Sequence, residues 1–287
     1  MPRNPETTVF ITAYNYGRFL KDCIDSILSQ SYEDYELLVC DNASADNTQD
    51  VIRSYNDKRI LNIRHEENIG PFDNGLDAIA RSRGKYLHPF CADDVMLSGM
   101  LQEQVQILKN NPNVGVVSCD ILESDENLEN QTLYVFQRDY TSGADVIKYC
   151  LSNCCNYVGG PSQHLFRKHL MPDPAYSKKY RWISDLKAVL DVLKKSDYSS
   201  INRPGVIYRR HTNSDTNINC RDANLQWENW FSLIKEFNMF ECNNLYRMKS
   251  KPLTIDSRKE LLKRLKKISA AKKLNFYAMH AMKSLTA

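Results

Sequence analysis

The sequence predicts an α/β fold: a Rossmann-like, mainly parallel sheet flanked by helices, with a helical extension at the carboxyl end. Over the first 90 or so residues, short apolar and β-branched runs alternate with segments whose apolar residues recur at helical spacing. This alternation is typical of right-handed βαβ units, which build parallel sheets. Each predicted strand in this half also ends in a polar stretch. Open α/β sheets bind their ligands at such carboxyl strand ends.

Three strand and helix pairs are predicted first. Residues 8–12, 35–40 and 60–64 are short, largely apolar or β-branched runs, as expected for buried strands. Gly84 is expected to end the third helix. The three helices are indicated by apolar residues at helical spacing: Leu20, Ile24, Ile27 and Leu28; Val51, Ile52 and Tyr55; Phe72, Leu76, Ile79 and Ala80.

A fourth buried strand is predicted at residues 86–90, with Pro89 close to its end because proline lacks an amide hydrogen. Two adjacent carboxylates, Asp93 and Asp94, follow it, and Ser98 is the expected start signal of the next helix. A hard divalent cation, held by one or two carboxylates and by substrate phosphates, is the use that this position favours. A solvated turn is the alternative, which two acidic residues alone would favour.

The composition narrows the class of protein. A formal charge of +3 over 287 residues gives no reason to expect a nucleic-acid partner. No stretch approaches the ~18 apolar residues of a membrane span, and residues 1–10 lack the apolar region of a signal peptide. Among the nine cysteines, Cys150, Cys154 and Cys155 form no C-x-x-C pair. We therefore expect a reducing, cytoplasmic location. The glycine-rich fingerprints of dinucleotide-binding and phosphate-loop folds are absent from the sequence.

Seven polar motifs occur in the order found in family 2 glycosyltransferases, and the sequence resembles that family, whose fold is GT-A. The first 120 or so residues resemble its nucleotide-sugar-binding half. The motifs are Thr12-Ala13-Tyr14-Asn15, Asp41-Asn42-Ala43-Ser44-Ala45-Asp46, Asn68-Ile69-Gly70, Cys91-Ala92-Asp93-Asp94, Gly160-Pro161-Ser162, Ser184-Asp185-Leu186 and Tyr208-Arg209-Arg210-His211.

The resemblance implies an inverting, metal-dependent glycosyltransferase that uses Mn²⁺ or Mg²⁺. It would move a sugar from a nucleotide-diphosphate donor, a UDP- or dTDP-sugar, to a glycan or lipid-linked acceptor in cell-surface polysaccharide synthesis. The Q-x-x-R-W motif of processive synthases is absent, since Arg181-Trp182 lies before Asp185 and no Gln precedes it at the required spacing. A non-processive enzyme is therefore expected.

The resemblance also assigns residues to the metal and the diphosphate. Asp94 is the expected direct metal ligand, and Asp93 is expected to contact both the metal and the ribose. His211 is expected to bind the metal or the diphosphate, although a surface histidine in a loop explains it equally well. Arg209 and Arg210 would donate charge-assisted hydrogen bonds to the diphosphate.

Further residues are implied to hold the nucleotide sugar. Asp41 would accept a hydrogen bond from the base. Two departures from the family pattern bear on this site: Cys91 takes the first acidic position of its motif, and Asp73 stands where many members carry an arginine that touches the nucleotide. The other implied nucleotide-sugar residues are Thr12, Tyr14, Asn15, Asn68 and Gly70.

Asp185 is implied to be the general base, which takes a proton from the attacking sugar hydroxyl. The sequence predicts it in the first turn of a helix, where the helix dipole stabilises a carboxylate. An ordinary acid at a helix start is the alternative when Asp185 is considered alone. Attack opposite the leaving group would invert the anomeric centre.

The predicted domains are a GT-A catalytic domain at 1–215 and a helical basic extension at 216–287. The first divides into a nucleotide-sugar-binding half at 1–120 and an acceptor-side half at 121–215. Residues 257–287 carry nine Lys or Arg residues against one acid. A basic amphipathic helix there would either contact an anionic membrane at its inner face or pack on the catalytic domain.

Two other functions are weighed against this one. A catalytically silent module that binds a sugar nucleotide or a glycan is supported by Cys91 and Asp73, whereas Asp93, Asp94 and Asp185 together argue against it. A nucleotidyltransferase is disfavoured because it would carry a Gly-rich, Arg-containing loop after the first strand. The sequence has Asn15-Tyr16-Gly17 there.

Overall fold

The computed structural model describes residues 4–136, 140–212, 214 and 223–237. Its strands are β1 (Thr7–Ala13), β2 (Tyr35–Asp41), β3 (Ile60–Arg64), β4 (Tyr86–Cys91), β5 (Val95–Met96), β6 (Val114–Ser124), β7 (Thr132–Tyr134), β8 (Tyr140–Thr141), β9 (Leu165–Arg167) and β10 (Asp197–Arg209). Its α-helices are α1 (Gly17–Leu28), α2 (Thr48–Arg53), α3 (Pro71–Arg81), α4 (Met100–Asn110), α5 (Gly143–Asn153), α6 (Ser184–Leu193) and α7 (Ala223–Glu236).

The described strands form one sheet in the order β3-β2-β1-β4-β9-β6-β10-β5, with β7 paired to β6 and β8 to β10. The four strands of the amino-terminal half are parallel neighbours, and β6 and β10 are also parallel. The short strands β5, β7, β8 and β9 pair antiparallel. The predicted α/β class is confirmed, and the half predicted to bind nucleotide is the continuous parallel part of the sheet.

Helices cover both faces of this parallel part because its strands are apolar on both sides. Val9 and Ile11 of β1 lie in the large core cluster that includes Ile24 of α1. Phe10, between them in sequence, belongs to a second cluster with Ala78 of α3. Successive side chains of a strand point to opposite faces, so this run of apolar residues needs a helix on each side.

The strand that leads to the predicted metal site, β4, lies between β1 and β9. Pro89 pairs with Phe10 of β1, while β9 reaches only Tyr86 and Leu87. Beyond Leu87, therefore, no described strand pairs with β4 on the β9 side, and a proline is tolerated there. Pro89 lies close to the strand end, as the sequence predicts.

Two predicted helix boundaries are wrong. Gly99, whose φ is 76°, directly precedes α4, so a left-handed glycine starts this helix rather than Ser98. α3 ends at Arg81, before Gly84. A Cβ at Gly84 would stand 2.4 Å from the amide nitrogen of Thr8. Gly84 is therefore needed for the close approach of the chain to β1 and does not cap α3.

A second core lies on the acceptor side and includes the helix near residue 230. Trp230, Leu233 and Ile234 of α7 belong to the same apolar cluster as Leu186 and Val189 of α6. The helix predicted in this region is confirmed, and it shares a core with residues on the other side of the proposed division at residue 215. None of the described helices is long and apolar enough to cross a membrane. The basic segment 257–287 lies outside the described residues.

Candidate active site

The register of the parallel strands brings three polar turns to one level of the sheet. Thr12 at the end of β1 pairs with Cys40 of β2 and with Cys91 of β4. Ala13 pairs with Asp41, the last residue of β2. The turns that follow these strands therefore leave the sheet side by side, at the edge where the sequence predicts the site.

The turn after β4 gathers potential metal ligands. One ligand atom each from Cys91, Asp93 and Asp94 lies within 4.8 Å of the others. Nε2 of His211 lies 2.9 Å from Oδ2 of Asp93, so the imidazole joins the same cluster. Two of the predicted metal ligands are buried, since Asp94 is 2 % exposed and Asp93 is 8 % exposed. The strand end does not face solvent as an open edge.

The Asp94 carboxylate is fixed by two hydrogen bonds. Its Oδ2 accepts from the Ser162 hydroxyl at 2.5 Å, and its Oδ1 accepts from the Arg209 amide at 3.1 Å. The Ser162 oxygen also accepts from the amide of Cys91 at 3.0 Å. Each carboxylate oxygen has a second lone pair, so these bonds orient Asp94 and leave it able to bind a cation.

The electrostatics of this turn fit a divalent cation. Burial, and after it the neighbouring charge of Asp93, raises the pKa of Asp94 well above its usual range. Two carboxylates enclosed together repel each other and lose hydration. A hard cation removes both penalties, and carboxylate oxygens are the ligands that Mg²⁺ and Mn²⁺ prefer. Asp93, Asp94 and His211 are the residues that would hold it.

Arg209, predicted to contact a diphosphate, has its guanidinium directed toward protein oxygens. It is 3 % exposed. Nε donates to the Asp93 carbonyl at 2.8 Å, Nη1 to the Glu126 carbonyl at 2.9 Å, and Nη2 to Oδ2 of Asp22 at 2.8 Å. The side chain therefore stabilises the turn that carries Asp93. Arg210 lies half-buried with Nη1 3.2 Å from Oε1 of Glu123. A diphosphate contact of either arginine stays a prediction.

We expect Arg209→Gln to lower the free energy of unfolding by about 2–4 kcal/mol, because buried carbonyls and a charge-assisted bond lose their donor. Arg203→Gln is the matched control on the same strand. Its ion pair with Glu103 is exposed, so a loss below ~1 kcal/mol is expected. Urea unfolding measures both. Equal stabilities in the two variants, with donor affinity lost only in Arg209→Gln, would place Arg209 in the donor site instead.

The turn after β2 is built around Asp41, which is fully buried. Its Oδ1 accepts from the Ser44 amide at 2.9 Å, and its Oδ2 accepts from Nε2 of Gln49 at 2.7 Å. Nη1 of Arg64 lies 3.4 Å from Oδ2. Both carboxylate oxygens thus have protein donors, and the predicted contact between Asp41 and a nucleotide base is not shown by this arrangement.

The turn after β1 and the turn after β2 are joined through Asn15. Its amide donates to the Ser44 hydroxyl at 2.9 Å, and its Oδ1 accepts from the Ala45 amide at 2.8 Å. The φ of Asn15 is 58°, a left-handed value that asparagine tolerates better than most residues. The neighbouring Tyr14 is 45 % exposed and Thr12 is half-buried. Their side chains stand at the edge that a nucleotide would contact.

Asn68 and Gly70 form the turn after β3, which is joined to the turn after β2. Oδ1 of Asn68 accepts from Nδ2 of Asn42 at 2.8 Å and from the Gly70 amide at 2.9 Å. Oδ1 of Asn42 accepts from the Ile69 amide at 2.9 Å. Gly70 has a φ of 87°, which favours glycine at this position. The structure therefore brings all three predicted nucleotide turns together.

Asp185 lies in the first turn of α6, as the sequence predicts. Burial raises its pKa to about 6, while the amides of Leu186 and Asp185 act in the opposite direction. A carboxylate with a pKa near neutrality is suited to accept a proton. Burial also raises the pKa of the Tyr176 phenol, and the charges of Asp185 and Cys91 add to this effect. Asp185, the candidate base, and Cys91 of the candidate metal turn therefore both lie near the Tyr176 side chain.

Two of these side chains were not given their structural roles from the sequence. Ser162 was recognised only as part of the motif Gly160-Pro161-Ser162, although its hydroxyl bridges Cys91 and Asp94. Tyr176 belongs to none of the motifs. The signal that could have indicated it is its position shortly before Asp185, in the loop that leads into α6.

Comparisons with known proteins identify the family. The model of the family described as Glycosyl transferase family 2 matches residues 8–164, more than half of the chain. An uncharacterised glycosyltransferase of Methanocaldococcus jannaschii is 27% identical over 198 residues, which are 68% of this chain and 62% of that protein. The chain therefore spans less than two thirds of this relative. An Escherichia coli protein, UDP-Glc:alpha-D-GlcNAc-diphosphoundecaprenol beta-1,3-glucosyltransferase WfgD, is 24% identical over 77% of this chain and 83% of its own length.

Solved structures share the fold. Staphylococcus aureus TarS 1–349 in complex with UDP-GlcNAc superposes with a TM-score of 0.60 at 16% identity, covering 73% of this chain and 60% of that one. The mannosyltransferase PcManGT from Pyrobaculum calidifontis, in complex with GDP-Man and Mn²⁺, gives a TM-score of 0.57 at 18% identity, covering 82% of this chain and 65% of that one. The GT-A-like architecture is thus shared at low sequence identity.

Proposed function

The chain belongs to glycosyl transferase family 2, and on that premise we propose that it is an inverting, metal-dependent, non-processive glycosyltransferase. It moves a sugar from a nucleotide-diphosphate donor to a glycan or lipid-linked acceptor in cell-surface polysaccharide synthesis. The observation that carries this proposal is the cluster of Cys91, Asp93 and Asp94 ligand atoms within 4.8 Å at the carboxyl end of β4. Asp185, whose pKa is raised by burial, supports it further, because Asp185 and Cys91 both act on the electrostatics of Tyr176.

The proposed mechanism assigns separate tasks to the two groups of carboxylates. A divalent cation at Asp93, Asp94 and His211 would neutralise the charge that develops on the departing diphosphate. Asp185 takes the proton from the acceptor hydroxyl as this hydroxyl attacks the anomeric carbon. Attack from the side opposite the leaving group inverts the anomeric centre. The turns of Tyr14, Asn15 and Asn68 would orient the nucleotide.

The relatives support particular substrates. TarS is solved with UDP-GlcNAc and with UDP, and the name of WfgD gives UDP-glucose as donor and a diphosphoundecaprenol-linked sugar as acceptor. We therefore propose a UDP-sugar as the donor, with a dTDP-sugar as the second choice, and a lipid-diphosphate-linked sugar as the acceptor. Mn²⁺ is the first cation to test, because PcManGT is solved with it, and Mg²⁺ is the second. The cytoplasmic location and the membrane contact of residues 257–287 stay predictions.

A thermal-shift panel tests the proposal, with UDP-glucose, UDP-GlcNAc, a dTDP-sugar and GDP-mannose, each with and without Mn²⁺. A ligand at 100 times its Kd stabilises the native state by about 2.7 kcal/mol, which is roughly 5–10 °C for a domain of this size. We expect such a shift for a UDP-sugar only when Mn²⁺ is present. A panel without any shift would contradict the proposal. Binding without transfer or hydrolysis would favour the catalytically silent module.

A further inference from the structure

Residues 176–178 connect α3, a helix of the nucleotide-sugar-binding half, with α6, the helix that carries Asp185. Nζ of Lys178 lies 2.7 Å from Oδ2 of Asp73 in α3. The Ser177 amide donates to the hydroxyl of Ser184, the first residue of α6, at 2.8 Å. The segment is therefore attached to both halves of the site, directly beside the candidate base.

Tyr176, the first residue of this segment, packs closely on Gly75 of α3. A Cβ at Gly75 would stand 3.0 Å and 3.1 Å from two carbons of the Tyr176 ring. Glycine inside a helix costs about 1 kcal/mol relative to alanine, so a structural reason for it is expected. The close approach of the ring supplies that reason, and it fixes where the tyrosine stands.

The Tyr176 hydroxyl has no hydrogen-bond partner among the described residues. Asp185 and Cys91 both lie near enough to act on its electrostatics. The side chain is half-buried, so a ligand or water can supply the partner that the described residues do not give this hydroxyl. At this place, between the candidate base and the turn of Cys91, the acceptor sugar of the proposed reaction would supply that partner.

We propose that the Tyr176 hydroxyl hydrogen-bonds the acceptor sugar and places its attacking hydroxyl at Asp185, which makes Tyr176 a residue that determines acceptor specificity. This inference rests on the proposed function. The inference gives a role in acceptor binding to Tyr176, a residue that packs on α3 of the nucleotide-sugar-binding half. The ring of the same residue offers an apolar face to the sugar.

The experiment uses the full chain with UDP-glucose as donor and a synthetic undecyl-diphosphate-linked GlcNAc as acceptor. We expect Tyr176→Phe to lower kcat/KM for the acceptor about 3–10-fold, the loss of one neutral hydrogen bond. Hydrolysis of UDP-glucose in the absence of acceptor, and the Kd for UDP-glucose, should stay unchanged. Gly75→Ala should produce a similar loss although the hydroxyl is present, because the added methyl group displaces the ring.

Tyr180→Phe is the matched control. It removes a tyrosine hydroxyl four residues away that is bonded to Glu236, and acceptor kinetics should not change. Acceptor kcat/KM at the wild-type value in Tyr176→Phe would overturn the inference. Equal losses of hydrolysis, donor binding and transfer would overturn it too, since they would place Tyr176 in the donor site or the core. If the wild type neither binds nor hydrolyses any sugar nucleotide, the proposed function itself fails, and the inference falls with it.

Discussion

Replacing Asp94 by asparagine should abolish metal-dependent donor binding and, in the absence of metal, make the fold more stable. Burial and the charge of Asp93 raise the pKa of Asp94 well above its usual range. A carboxyl whose pKa is raised in the folded state destabilises that state at any pH above its unfolded pKa, about 3.9. Asparagine removes the charge and keeps one oxygen to accept a hydrogen bond.

The size of this stabilisation should depend on pH in a defined direction. The wild type carries the full penalty of an enclosed carboxylate above the raised pKa of Asp94, and the variant does not. As the pH falls through the raised pKa of Asp94 toward about 4, the wild type takes up the proton and the difference disappears. Function and stability are therefore opposed at this residue, as is common where an active site is built from enclosed charges.

Calorimetry with UDP and Mn²⁺, and thermal unfolding without metal, measure the two effects. Asp120→Asn is the matched control, because burial also raises the pKa of Asp120, and this residue of β6 accepts from the Phe136 amide at 2.7 Å. It should leave the Mn²⁺ response intact. Unchanged affinity for UDP and Mn²⁺ in Asp94→Asn would remove Asp94 from the metal site, and a loss of stability would contradict the electrostatic account.

The amino-terminal half was predictable because its strands are short and apolar and their turns have distinctive chemistry. The run 86–90 forms the strand that leads to Asp93 and Asp94, as predicted, whereas metal binding at this turn and catalysis by Asp185 stay predictions. A residue type alone does not fix a role, however. Arg209 suits a diphosphate and a set of carbonyls equally well, and only the fold shows which oxygens lie beside it.

The carboxyl-terminal strand shows where the local pattern fails. The residue pattern by itself indicates only a short apolar run at 206–208 with a basic end, whereas β10 runs from Asp197 to Arg209. Pro204 and Gly205 interrupt the strand pattern, and they ordinarily argue against a strand interior. The structure accommodates them with register shifts between Ile201 and Val206. Such bulges occur next to active sites because they redirect the strand, and this one precedes Arg209.

Replacing Asp185 by asparagine should lower the rate of transfer by 10²–10⁴-fold, the usual cost of losing a general base. The substitution keeps the size and polarity of the side chain and removes only its ability to accept a proton. Because the base acts on the acceptor hydroxyl, the Kd for the donor should stay within a few-fold of the wild-type value. Hydrolysis of the donor by water should fall as well, since water needs the same base.

The pH dependence distinguishes this role from a structural one. Burial raises the pKa of Asp185 to about 6, and only its carboxylate form accepts a proton. The wild-type kcat/KM should therefore fall as the pH drops below about 6, with a limb that the variant lacks. Stability has the opposite dependence: the raised pKa stabilises the fold at low pH, and this contribution is lost as the pH rises from about 4 through 6. The ionised form of Asp185, which is the proposed catalytic form, is thus the form that destabilises the fold.

Transfer rates from pH 5 to 8, with the donor Kd measured beside them, provide the test. Asp191→Asn is the matched control on α6. That carboxylate pairs with Lys187 and Lys194, and the substitution should leave turnover and its acid limb unchanged. If Asp185→Asn loses donor binding together with turnover, Asp185 belongs to the donor site or to the fold. Turnover near the wild-type value would assign the base to another residue. The combination that identifies the base is intact donor affinity, a rate lower by at least 10²-fold, and the absence of the limb near pH 6, because no purely structural role of a helix-start carboxylate produces all three.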